Sequence, residues 1–149
     1  MYVRDRRLWG LEFDWIAHDP GLRIGYFMSS GSGQVPAEVA TDAGAYRDVL
    51  EEALGLGVTG EAMVVADVDF YLGDLVEIAR RGLYCFNFNA RARGYSLITR
   101  PSQPRLITHV AQPRLWALIS RCALETRFHD GRHDCIEIAH PAVGLGLAR

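Results

Sequence analysis

Six side chains able to ligate a metal crowd into the stretch from His129 to His140: His129, Asp130, His133, Asp134, Cys135 and His140. A helical zinc site needs two histidines four apart on one face, so that both imidazoles converge on the ion. His129 and His133 have that spacing, but Gly131 lies between them and the flanking residues alternate like strands. A polar hairpin loop accounts for the same residues, and no metal is expected. Asp67-Val68-Asp69 has the outline of a DxD metal motif, yet it stands where a helix needs a cap, and capping is the stronger reading. Ser29-Ser30-Gly31-Ser32-Gly33, just ahead of Pro36, could present backbone N–H groups to a phosphate. It lacks the Lys-Ser/Thr ending of a P-loop and the spacing of a dinucleotide fingerprint, so it reads as a connection and no cofactor is expected.

Nucleophilic and acid–base chemistry find no foothold either. Cys85, Cys122 and Cys135 are widely spaced, an odd number, without a CxxC pair. They read as reduced, mostly buried thiols rather than a disulfide framework. Any Ser-His-Asp or Cys-His grouping would be arbitrary, so no catalytic residue is assigned and the chain is not read as an enzyme. Asp42, Asp48, Glu51 and Glu52 form a solvated helix face rather than an acid/base pair. Tyr84, Phe86 and Phe88, with Tyr95 and the arginines 91, 93 and 100 nearby, could stack bases of a single-stranded RNA. A net charge of -2 argues against nucleic acid and sends those rings to the core instead.

The elements that must position these residues follow from periodicity. Leu11, Phe13, Trp15 and Ala17 alternate with Glu12, Asp14 and His18, which predicts a half-buried strand. Asp19-Pro20-Gly21 turns the chain, since proline presets φ and glycine tolerates positive φ. A second strand then carries Ile24, Tyr26 and Met28 on one side and Arg23, Gly25 and Phe27 on the other. Pro36 to Leu54 predicts a helix, starting at Pro36 or at the caps Thr41-Asp42. Met63-Val64-Val65 is a candidate strand. A second helix, capped by Asp67 or Asp69, ends with Arg80, Arg81 and Gly82. Strands over 83–89 and 95–100 joined by a hairpin loop, a short strand at 105–110 and a helix opened by Pro113 come next. Strands at 124–128 and 135–139 complete the pattern, and the tail from Pro141 is expected to fray. The expected fold class is α+β, a single domain over 1–149: a mainly antiparallel sheet with about three helices packed against it.

Composition is ordinary for a globular chain, at 49% hydrophobic and 23% charged residues, which excludes a disordered one. All 16 basic residues are arginine, as in the coding bias of a high-GC genome. No apolar run reaches the roughly 20 residues of a membrane span, and MYVRDRRLWG lacks the apolar core of a secretory signal. The cytoplasm is the expected compartment.

The stretch from Trp15 to Pro36 resembles the immunity proteins of bacterial polymorphic-toxin, contact-dependent and type VI secretion-type systems. These open with a tryptophan, an aspartate turn, a small residue then an aromatic, and a Gly-rich exit into a Pro-started helix. The matching residues are Trp15, Asp19, Gly25, Phe27, Gly31, Gly33 and Pro36. Arg81-Gly82-Leu83-Tyr84 and the helix opened by Pro113 continue the similarity. The chain departs in the turn, where Leu22 stands at a position expected to hold glycine. The resemblance implies a protein that neutralises a cognate toxin by stoichiometric binding, with no catalysis of its own. On that reading the acidic face Asp42, Asp48, Glu51, Glu52 would meet a basic toxin. The alternatives are a small-molecule or nucleotide-binding domain using Ser29–Gly33 and an RNA binder using Tyr84, Phe86 and Phe88.

Overall fold

A computed structural model describes residues 13–30, 33–128 and 136–138. Its elements are β1 (Asp14–His18), β2 (Ile24–Met28), α1 (Ala37–Ala40), α2 (Val49–Leu54), β3 (Ala62–Val64), α3 (Gly73–Arg80), β4 (Tyr84–Asn89), β5 (Gly94–Pro101) and α4 (Pro113–Ser120). Short 3₁₀ turns occupy Ala43–Tyr46 and Ile107–His109. The described residues form an α+β fold with a five-stranded sheet in the order β1-β2-β4-β5-β3. The sheet is mixed. Three pairs are antiparallel, but β2 and β4 run parallel, Gly25 opposite Tyr84 and Phe27 opposite Phe86. Parallel neighbours cannot be joined by a tight turn, and the crossover here is the whole segment carrying α1, α2, β3 and α3.

The predicted half-buried strand is corrected to a strand buried on both faces. Trp15, Ile16, Ala17, Ile24, Tyr26 and Phe27 are all inaccessible to solvent. On one face α3 packs over β3, β4 and β5, and α2 reaches β1. There Cys85 Sγ and Thr99 Oγ1 both turn to the Leu75 carbonyl, at 3.5 and 3.1 Å. On the other face the rings of Trp15, Phe27 and Phe86, register partners on three adjacent strands, stack nearly parallel with centroids 4.2 and 4.7 Å apart. Tyr95 stands edge-on to Trp15 and Phe27, and Phe128 closes over Phe27, Tyr84 and Phe86. Gly25 makes room for this lid, because a Cβ there would sit 2.8 Å from the Phe128 ring.

Hydrogen bonds tie the aromatic face to the chain around it. Trp15 Nε1 donates to the Tyr95 hydroxyl (3.1 Å), which donates to the Gln34 carbonyl (2.7 Å). Asp19, fully buried, accepts from the backbone N–H of Arg23 (2.8 Å) and of Phe128 (2.9 Å), so one carboxylate holds both the turn and the aromatic lid. The Arg105 guanidinium donates to the carbonyls of Arg81, His109 and Gly57, gathering three loops below α3.

Several expected elements come out differently. The helix predicted over 36–54 is interrupted: Asp42 leaves helical geometry, Ala43–Tyr46 is a 3₁₀ turn, and α2 begins only at Val49. Tyr46 explains the break, since its ring packs on Phe13 at 6.0 Å under the Arg121 guanidinium. Neither Asp67 nor Asp69 caps α3, whose N-cap position is Leu72 with no side-chain cap bond. Residues 105–110 make a 3₁₀ turn rather than a strand. Residues 124–128 form no strand, although Ala123 and Leu124 lie beside His18 at the sheet edge. The expected strand at 135–139 is described only at 136–138, where Ile136 bridges Tyr95. Leu11, Glu12, the first ten residues, the His129–His133 loop and the tail lie outside the described residues.

The turn departure noted in the sequence has a backbone consequence. Leu22 N–H closes the turn on the Asp19 carbonyl at 3.0 Å, and Leu22 itself takes φ +65°. That left-handed conformation costs a non-glycine residue roughly 1–2 kcal/mol, against which glycine loses some unfolded-state entropy. Leu22→Gly should therefore stabilise the protein by on the order of 1 kcal/mol, seen as a higher urea midpoint at unchanged slope. Tyr95→Phe should cost about 1–3 kcal/mol by stranding a buried indole N–H and the Gln34 carbonyl. An unchanged midpoint for that variant would mean the hydroxyl relay contributes nothing.

Candidate functional site

A cleft of about 440 Å³ opens where β2 and β4 end and α3 begins. The sheet supplies Asp14, Tyr26, Met28 and Asn87, with Ser30 just beyond β2; α2 supplies Leu50; α3 and its approach supply Phe70, Tyr71, Asp74, Leu75 and Ile78. Alternation along β1 and β2 explains the sheet side. Tyr26 and Asp14 lie on the face opposite the aromatic stack, and the Tyr26 hydroxyl donates to Asp14 Oδ2 at 2.5 Å. Ser30, in a left-handed conformation at φ +53°, donates its hydroxyl to Asn87 Oδ1 at 2.5 Å. Burial, and then the charges of Asp14 and Asp74, push the Tyr26 phenol far above the ordinary tyrosine range. Tyr26 is thus a fixed hydrogen-bond donor there and not a base.

Two apolar surfaces are open to solvent. Met63, Val64 and Val65 are 41, 51 and 47% exposed on the edge strand β3 and just past it. Phe70 is exposed at the cleft, and Tyr71 is 84% exposed there. The Tyr71 ring and hydroxyl occupy the space that a Cβ at Gly73, the first residue of α3, would take.

The residues nominated from sequence are dispersed. Asp42 pairs with Arg121 at 3.1 Å and Glu52 with Arg114 at 3.0 Å, so two of the four acidic candidates already meet arginines of α4 and its C-cap. Asp48 and Glu51 are exposed. Tyr84 and Phe86 are buried and Phe88 is half-buried, which removes the base-stacking platform. Arg91 and Arg93 lie on the exposed β4–β5 loop. Ser29 is buried, its Oγ accepting from Phe13 N–H, and Gly33 N–H is taken by the Ser29 carbonyl. Of that segment's described residues, Ser30 alone lines the cleft. Asp67 and Asp69 are exposed in the loop before α3. No group of three or more His, Cys, Asp or Glu side chains able to hold a metal occurs among the described residues. No helix of the described residues is long and apolar enough to cross a membrane. The rim residues Phe70 and Tyr71 and the cleft residue Asp74 went unremarked in the sequence. Their one signal is two aromatics in an otherwise polar turn, Asp69-Phe70-Tyr71-Leu72-Gly73-Asp74.

Comparison with protein-family models, with curated proteins and with solved structures gave no match.

The two described thiols, Cys85 and Cys122, are buried and unpaired with each other. Burial pushes Cys85 and Cys122 up to about 12 from an ordinary 9.0. Tyr46 is likewise pushed by burial to about 12 from 10.0, although Arg121 pulls it down. Raised folded-state values mean that the unfolded chain releases its protons first. The stabilisation is complete below about pH 9 and is lost as pH rises toward 12. A urea-melt series from pH 8 to 11 should show falling stability across that window. A flat profile would contradict the burial of these groups.

Proposed function

We propose that this protein works by stoichiometric binding to another protein, and that the partner is a toxin it neutralises. The observation that carries the reading is the exposed apolar run Met63-Val64-Val65 at β3, an edge strand of the sheet among the described residues, with the exposed rings of Phe70 and Tyr71 at the cleft mouth as a second apolar surface. Edge strands are ordinarily guarded by charges, proline or a covering element, because open N–H and C=O groups recruit other strands. Here the Val65 N–H and the Glu61 carbonyl bond to β5, so by antiparallel alternation the groups of Ala62 and Val64 point outward. An extended segment of a partner can pair with that edge while its side chains cover the exposed Met63, Val64 and Val65. Aromatic anchors beside a main-chain ladder are the usual makings of a tight interface.

That apolar run displaces the acidic face as the centre of the proposed interface. Asp42 and Glu52 are partly neutralised by Arg121 and Arg114, which leaves Asp48 and Glu51 as rim charges for steering. The toxin assignment itself rests on the resemblance of Trp15–Pro36 to immunity proteins. A second reading, small-molecule binding, is favoured by the cleft beside Ser30, although its carboxylates disfavour a nucleotide.

Co-expression with the open reading frame adjacent to the gene tests the proposal. The neighbour alone should kill a bacterial host, and this protein should restore growth and co-purify at fixed stoichiometry. Val64→Lys and Tyr71→Ala, both at exposed positions, should keep the melting temperature and weaken the complex about tenfold or more. Asp48→Arg should chiefly slow association. A harmless neighbour, or a complex indifferent to both Val64→Lys and Tyr71→Ala, would overturn the reading.

A further inference from the structure

The geometry points to the cleft between α3 and the ends of β2 and β4 as a receptor for one guanidinium group. The proposal goes beyond toxin binding, since it concerns the isolated protein and holds whether or not the neighbour is a toxin.

Three features converge on that chemistry. The cavity, about 440 Å³, is in the range of organic ligands and far larger than a water or metal site requires. Its charged lining is wholly acidic: Asp74 on the first turn of α3, and Asp14, whose carboxylate is engaged by Tyr26; the Asn87 amide, its Oδ1 accepting from Ser30, stands beside them. No arginine is among the described lining residues. A phosphate or carboxylate ligand would face the Asp74 carboxylate. A planar cation is drawn in by that charge and can donate to Asp74 and to the second lone pair of Asn87 Oδ1.

The third feature is the ring at the mouth. Tyr71 is almost wholly exposed and lies beside Gly73 and near Asp74. A cation bonded to Asp74 comes within reach of that ring and of Phe70, and a guanidinium stacks on an aromatic face better than a compact ammonium does. The apolar floor of Leu50, Leu75, Ile78 and Met28 suits the methylene stem behind a guanidinium.

The chemistry has two sources, a free guanidino compound or an arginine presented by a partner protein, and the test separates them. The ¹⁵N-labelled full chain is titrated with agmatine, N-acetylarginine amide and N-acetylcitrulline amide, the last an uncharged isostere. Both guanidinium probes should shift the amides of Phe70, Tyr71, Asp74 and Asn87, and should bind at least fivefold tighter than citrulline amide. Asp74→Asn should erase that preference. Gly73→Ala, which displaces Tyr71, should weaken both guanidinium probes several-fold while the β4 and β5 amides stay in place. Micromolar agmatine binding assigns a small-molecule receptor. Millimolar binding of both probes, with the citrulline preference intact, assigns an arginine anchor for a protein partner. Equal binding of the citrulline and arginine amides, shifts elsewhere only, or a preference that survives Asp74→Asn would each overturn the proposal.

Discussion

The Tyr95 side chain is the joint on which this fold turns. Its ring lies edge-on to Trp15, Phe27 and Phe88, and its hydroxyl accepts from the Trp15 indole while donating to the Gln34 carbonyl. Its backbone N–H and C=O, on the side of β5 that β3 has not reached, exchange bonds with Ile136. One residue thereby connects β1, β5, the exit from β2 and the last described segment. A buried hydroxyl without a partner costs free energy. This one is satisfied twice, which locks the stack of Trp15, Phe27 and Phe86 into one register. Asp19 does comparable work at the other end of the same face, tying Arg23 and Phe128 through one carboxylate.

With that face closed, the opposite face is free to be shaped. Helices cover most of it, and the cleft remains where α3 starts and the parallel strands stop. The exposed run at β3 lies beyond β5, on the outer edge of the sheet. The molecule therefore keeps its rigid aromatic mass away from its open surface. Two groups at the cleft are held by scaffold contacts, Tyr26 by Asp14 and Ser30 by Asn87. Such preplacement lowers the ordering cost of any ligand or partner that binds there.

Much of the local structure was legible in the sequence. The position of the Asp19-Pro20-Gly21 turn, the β4–β5 hairpin, the Gly82 exit of α3 at φ +97° and the proline start of α4 all follow from short-range chemistry, although the turn places its positive φ on Leu22 and not, as expected, on Gly21. What was not legible depends on distant partners. The parallel pairing of β2 with β4 needs 55 intervening residues to fold back, and no local pattern announces it. The period-2 alternation in β1 suggested one wet face because Asp14 and His18 are polar, yet Asp14 is spoken for by Tyr26 and His18 by the segment after α4. The helix over 36–54 had the right period but is broken by the anchoring of Tyr46 on Phe13 and Arg121. At the site, acidic residues at helical spacing stand out, whereas the cleft is assembled from residues of five separate segments, three of which give one residue each.

The strand order also governs how the chain can come together in time. Trp15 and Tyr95 are 80 residues apart, and the partner of β2 lies beyond α3. During synthesis the β1–β2 hairpin leaves the ribosome with two apolar faces. Its α2-facing side can be covered once α2 has emerged, but the face of Trp15 and Phe27 waits for Phe86, Tyr95 and Phe128. Contacts of such long sequence separation make for slow folding with exposed intermediates. The nascent amino-terminal half is therefore a natural client for chaperones, and the indole of Trp15 becomes a reporter of the last steps of folding rather than the first.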